Sequence, residues 1–121
     1  MILDKLFGSA AAERVLLYIA NYGDGYAAGI ARTFDMSSSQ VQKQLNKFEQ
    51  SGILVQRPQG RTRLYTWNPR WPLRPELEAL LESALSKVTV DEEEQFFLER
   101  RRPRIKGKKY ELVSKRDLDY V

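Results

Sequence analysis

The sequence predicts a mainly α domain carrying one small β-hairpin, followed by one or two further helices. Three observations predict it. Apolar residues recur at helical spacing in three successive segments ending at Phe48. The period then drops to two from Ile53, crosses a Pro- and Gly-containing turn, and holds to Trp67. Beyond Pro69, Pro72 and Pro75 the helical spacing returns.

Each element follows from local signals. Ala12, Val15, Leu16 and Ile19 stand at i, i+3, i+4 and i+7, the stripe of an amphipathic helix. Ser9 is placed to cap its start, and Gly23 to stop it after Asn21 and Tyr22. Ala27, Ile30, Ala31 and Phe34 repeat the spacing, so a short second helix is expected over 26–34. Asp35 and Met36 make a tight connection. Ser37 then opens a third helix over 37–50, with Gln40 completing a Ser-x-x-Gln capping box. Its apolar stripe is Val41, Leu45 and Phe48, and Gly52 ends it.

Residues 53–57 read as a strand and 63–67 as the returning strand, with Pro58-Gln59-Gly60 as the turn. Arg57, Arg61 and Arg63 give this hairpin a basic tip. A fourth helix is expected over 75–88. Pro75 suits its first position, and Glu76 and Glu78 suit the positive end of its dipole. Its apolar positions are Leu77, Leu80, Leu81, Ala84, Leu85 and Val88. A fifth helix is expected over 91–102, capped by Asp91, with Glu92 near its start, Arg102 at its end and Pro103 beyond it. Residues 104–121 are polar and basic without a period, and much of that tail is expected to be mobile when alone. The organisation expected is therefore a domain over 1–74, a helical dimerisation and acidic element over 75–103, and a basic tail over 104–121.

Composition narrows the chemistry. The 121 residues include no Cys and no His, which removes disulfides, thiol nucleophiles, imidazole bases and the usual zinc and copper ligands. No metal, cofactor or enzymatic activity is expected. Consecutive acids such as Glu92 to Glu94 point around a helix rather than converging on an ion. No apolar run reaches about 18 residues, so no membrane span is expected. The first seven residues lack a basic stretch followed by an apolar one, so no signal peptide is expected either. The expected location is the cytoplasm, at the nucleoid.

The net charge of +4 is unevenly laid out. Residues 1–74 hold ten Lys and Arg against five acids, residues 75–99 hold one against eight, and residues 100–116 hold nine against one. A basic front and a basic tail around an acidic middle suggest a polyanion-binding part set apart from a second element.

Helix, short helix, tight turn, capped helix and basic hairpin is the order of a winged helix-turn-helix, whose second helix enters the major groove of DNA. With Val41, Leu45 and Phe48 inward, steps of about 100° put Ser39, Gln40, Gln42, Lys43, Asn46 and Lys47 outward or on the flanks. Ser, Gln and Asn can read base edges, and Lys can hold phosphate or guanine. Glu49, near the end, is the only acid in this helix, whereas an ordinary solvated face mixes Glu with Lys. On the hairpin, Arg61 and Arg63 flank Thr62 beside Gly60, placed to grip phosphates or enter a minor groove. The bland alternative is a charged edge that blocks aggregation. Tyr26 and Arg32 can reach backbone phosphates, although a core Tyr and a surface charge account for them better.

The run from Phe34 through Ser37, Val41 and Leu45 to Ser51-Gly52-Ile53-Leu54 resembles the helix-turn-helix core of ArsR-like and related winged-helix regulators. Arg57, Gly60, Arg61 and Tyr65 resemble their wing. The likeness spans residues 6–88. It implies that Ser38, Ser39, Gln40, Gln42 and Lys43, with Lys47, meet the major groove, and that Arg61, Thr62 and Arg63 meet the backbone or minor groove. Leu6-Phe7-Gly8-Ser9 and the stretch from Trp67-Asn68-Pro69 to Glu76-Leu77 look like winged-helix modules found near or fused to small nucleotidyltransferases. No nucleotidyltransferase motif accompanies them. Without Cys or His the chain departs from the metal-sensing repressors.

The expected partner is double-stranded DNA. A homodimer is expected through Leu77 to Val88 with Leu3, Leu6 and Phe7, as in the resembled families, although these residues can equally close the core of one chain. A protein partner on the acidic helix or the basic tail stays open. So do a protein-interaction adaptor, a regulatory or antitoxin partner of a nucleotidyltransferase, and RNA binding through tail and hairpin.

Overall fold

Ser9 accepts the Ala12 N–H at 3.0 Å and starts α2 (Ala10–Tyr22), the helix around which the other elements are laid. The structure, a computed structural model, describes residues 2–88. The expected fifth helix, its acidic start and the basic tail lie outside the described residues. Burial on α2 is wider than the four-residue stripe predicts, since Leu17 and Ala20 are buried as well. The reason is that α1 (Asp4–Phe7), α4 (Ser38–Gln50) and α5 (Arg74–Leu85) all pack on it, as does the sheet. Gly23, in the left-handed region at φ 92°, closes α2.

A two-residue strand, β1 (Asp24–Gly25), comes next and was not expected from the sequence. It pairs antiparallel with β3 (Thr62–Trp67), Asp24 opposite Thr66 and Gly25 opposite Tyr65. The sheet therefore has three strands in the order β1-β3-β2, with β2 (Leu54–Gln59) outermost. Between β1 and α4 lies α3 (Ala27–Phe34), with Tyr26 at its N-cap position making no side-chain cap bond. Asp35 takes a left-handed conformation so that Met36 N–H can bond the Ala31 carbonyl and turn the chain into α4.

The hairpin is longer than predicted. Pro58 and Gln59 belong to β2, paired with Arg63 and Thr62, and the turn is Gly60-Arg61. Pro58 is tolerated because β2 is an edge strand, where its missing N–H faces no partner. Gly60 sits at φ 63° and Arg61 has no positive φ, the pattern of a two-residue type II′ turn, which needs glycine first. Helix α5 begins one residue before the expected start, at Arg74, and ends at Leu85. Its Leu81, Ala84 and Leu85 enter the same core as Val15, Ile30, Leu45 and Leu54. No helix of the described residues is long and apolar enough to cross a membrane.

Of the two buried acids among the described residues, Glu13 and Glu82, Glu13 is the more deeply enclosed. Glu13 is 1 % exposed and accepts the Leu3 N–H at 2.7 Å, which ties the N-terminal segment to α2. Loss of water raises its carboxyl above the usual range, against the smaller opposing pull of the Leu3 N–H. A raised folded-state value means the folded chain holds the proton longer than the unfolded chain. Its contribution to stability is therefore greatest at acid pH and declines as pH rises from the usual carboxylate range through the raised value. Glu13→Gln keeps an acceptor for Leu3 N–H without the charge. We expect it to melt above the wild type at neutral pH, with the gap closing toward pH 4, in thermal melts across a pH series. A gap that is constant with pH would sink this account.

Candidate nucleic-acid interface

The start of α4 is fixed by Ser37, whose hydroxyl accepts the Gln40 N–H at 3.2 Å. Only this half of the expected capping box forms. Among the described residues the Gln40 side chain returns no bond, and Ser39 Oγ lies instead 3.3 Å from Ser37 Oγ. Gln40 thus stays exposed and available.

Val41, Leu45 and Phe48 are buried against α2, α3 and β2, as their spacing requires. This turns Ser38, Ser39, Gln40, Lys43, Asn46 and Lys47 outward, all exposed. Lys47 Nζ lies 5.1 Å from the centre of the Phe48 ring, so its stem lies along the helix while the charge stays at the surface.

Gln42 behaves differently. It is half-buried, and its Nε2 donates to the Tyr65 hydroxyl and to Asn46 Oδ1, each at 2.9 Å. Tyr65 is 1 % exposed and sits on the central strand, so this bond joins α4 to the hairpin through the interior. In the sequence Tyr65 carries only the wing resemblance. Its inward position follows from strand alternation, because Leu64 and Thr66 point to the opposite face.

The three wing arginines are not gathered at one tip. Arg61 and Arg63 line a cleft of about 360 Å³ with Tyr26, Ala28, Ser38 and Gln42, between the starts of α3 and α4 and the hairpin. Arg57 pairs with Leu64 on the other face of the hairpin and lines a groove there with Tyr18, Tyr22 and Asp24. Thr62 is exposed and donates to the Gln59 carbonyl at 2.8 Å, bracing the turn. Tyr26 accepts a bond from Arg32 at 3.1 Å, which makes this pair a surface brace beside the cleft.

The arrangement is an exposed helix face of Ser, Gln, Asn and Lys, continuous through Ser38 with a cleft holding two guanidinium groups. Helix α3 also turns its first residues, Ala27 and Ala28, toward that cleft. Helix starts leave backbone N–H groups without helical partners, so this corner is electropositive beyond its side chains.

No protein-family model matches the sequence, and no curated protein matches it. Solved structures do resemble the fold. Reduced HlyU from Vibrio cholerae N16961 aligns at TM-score 0.53 and 15% identity, over 71% of this chain and 83% of that one. The AntR antimony-specific transcriptional repressor aligns at TM-score 0.56 and 23% identity, over 78% of each chain. Reduced AbfR, solved bound to DNA, aligns at TM-score 0.52 and 25% identity, over 72% of this chain and 62% of that one. The fold is a winged helix.

Proposed function

We propose that this chain is a transcriptional regulator that binds double-stranded DNA in a sequence-specific way. Helix α4 occupies the major groove, and the Arg61–Arg63 side of the hairpin rests on the backbone or the adjacent minor groove. The observation that carries this is the acid-free outer face of Ser39, Gln40, Lys43, Asn46 and Lys47, joined to the two-arginine cleft. Neutral amides and hydroxyls suit base edges, while the flanking cations neutralise phosphates. AbfR, of similar fold, is seen on DNA, and AntR is a transcriptional repressor. The role is binding rather than catalysis, in the cytoplasm at the nucleoid.

The reading includes a homodimer. Ile2, Leu6, Leu73 and Leu80 are exposed apolar side chains on or beside α1 and α5, the two ends of the described chain. A two-fold contact there would place two α4 helices about one turn of DNA apart. A single-chain mass in sedimentation at micromolar concentration would remove the dimer from the reading.

Fluorescence anisotropy on a random duplex across a salt series tests the whole. The expected dissociation constant is about 10⁻⁴–10⁻⁶ M at physiological salt, weakening steeply as salt rises. Lys43→Ala/Arg61→Ala should bind more weakly, with a salt slope shallower by about 2. Absence of binding at low salt would overturn the reading in favour of a protein partner. Binding that the double variant leaves unchanged would move it to the basic tail.

A further inference from the structure

We propose that Tyr65 is a positioning residue for base reading, acting through Gln42 on Asn46, and that Asn46 offers hydrogen-bond donors to an acceptor base edge in the major groove. This rests on the DNA-binding reading above.

The geometry is a three-member relay. Tyr65 is held in the core, with Gly25 opposite it on one side and Gln56 on the other. Its hydroxyl is therefore a fixed point. A glutamine amide nitrogen has two hydrogens. Those of Gln42 have two acceptors, Tyr65 Oη and Asn46 Oδ1, both at 2.9 Å. Gln42 is thus committed to joining the interior to the surface, and is not a free reader of bases.

Asn46 is exposed, and its carbonyl already takes the Gln42 N–H. Its Nδ2 has no intramolecular partner among the described residues. The amide is therefore oriented, with donors toward the groove. Guanine presents N7 and O6 as acceptors there, and thymine presents O4. The paired asparagine contact to adenine needs the carbonyl as well as the amide nitrogen. The relay fixes that carbonyl and leaves its second lone pair free, so the oriented amide suits an acceptor edge, whether guanine, thymine or the N7 side of adenine.

The consequence is separable from affinity. Phosphate attraction through Lys43, Lys47, Arg61 and Arg63 does not depend on how the Asn46 amide is turned. Loss of the Tyr65 hydroxyl should leave general binding and relax the choice of base. A tyrosine that only fills the core would instead lower stability and weaken all duplexes alike.

The test is selection from a randomised duplex library with the full chain, followed by affinities for the selected duplex, its single-base variants and a random duplex. Tyr65→Phe should relax preference roughly tenfold at one base pair, the pair that Asn46→Ala also relaxes. Its random-duplex affinity should stay within about twofold. Tyr65→Phe/Asn46→Ala should discriminate no worse than Asn46→Ala alone. Gln42→Met breaks the same relay from the helix side and carries the test should Tyr65→Phe not fold. Unchanged base preference in these variants, equal weakening of every duplex, or additive losses would overturn the relay and leave the DNA reading standing. A wild type that binds no duplex would overturn the DNA reading itself, and the relay with it.

Discussion

Leu45→Ala is expected to lower stability by about 3 kcal/mol, within the range of about 2–5 seen when a buried leucine is truncated. Leu45 is fully buried, midway along the inward stripe of α4 between Val41 and Phe48. Helix α4 packs on α2, α3 and β2, so the void would be walled by three elements that cannot all close on it. In a domain of this size a loss of about 3 kcal/mol lowers the melting temperature by roughly 12–24 °C. Urea unfolding should show a lower midpoint with an unchanged slope, since the folded surface is the same. Gln50→Ala, exposed at the end of the same helix, should stay within about 0.5 kcal/mol of the wild type. A Leu45→Ala loss below about 1 kcal/mol would mean the core around α4 collapses freely, and that α4 is held by its cap and surface rather than by its stripe.

The same stripe shows what the sequence reveals and where it stops. Val41, Leu45 and Phe48 are legible because each is apolar, the spacing is helical, and Ser37 marks the start. The hairpin is legible because the period changes at Ile53. Its turn is harder to place. Proline reads as turn chemistry, and only the edge position of β2 explains why Pro58 lies inside a strand. Arg57 lies close in sequence to Arg61 and Arg63, but the pairing register sends it to the other face of the wing.

Other features have no local signal. Asp24–Gly25 is too short to show a period, and becomes a strand only because β3 lies beside it. Leu17 falls off the predicted stripe of α2 and is buried because that helix is covered on several sides. Gln42 is one position from Val41 and on the flank of the stripe, where steps of about 100° cannot separate an outward amide from one turned inward to a buried hydroxyl. In each case the missing information is a long-range neighbour. Capping, turn and periodicity rules carry no knowledge of it.

Gly25→Ala is the second large effect, and it concerns a residue the sequence did not single out. A methyl group on Gly25 would lie 2.7 Å from Tyr18 Cε1, 2.9 Å from Tyr18 Cδ1 and 3.1 Å from Ile30 Cδ1. The Tyr18 ring cannot simply swing aside. It lies 4.5 Å from Tyr22 and 6.5 Å from Phe34, measured between ring centres. The methyl should therefore push β1 away from α2 at a cost of about 1–3 kcal/mol. The damage would reach the interface, because Gly25 faces Tyr65 across the sheet and the neighbouring Thr66 hydroxyl bonds the Gly23 carbonyl at 2.8 Å. Thermal melts of Gly25→Ala, Tyr18→Ala and the double variant isolate the cause. The double variant should be more stable than the sum of the single losses predicts, by about 1 kcal/mol or more, because removing the ring makes room for the methyl. Gly29→Ala is the contrast. Its methyl would meet the Tyr26 ring no closer than 3.1 Å, so a shift of a few tenths of an ångström in that half-buried side chain relieves the contact, and alanine favours the helix by about 1 kcal/mol. Near-neutral stability is expected there. Strictly additive losses for Tyr18 and Gly25 would place the cost of Gly25→Ala in the strand backbone instead of the ring.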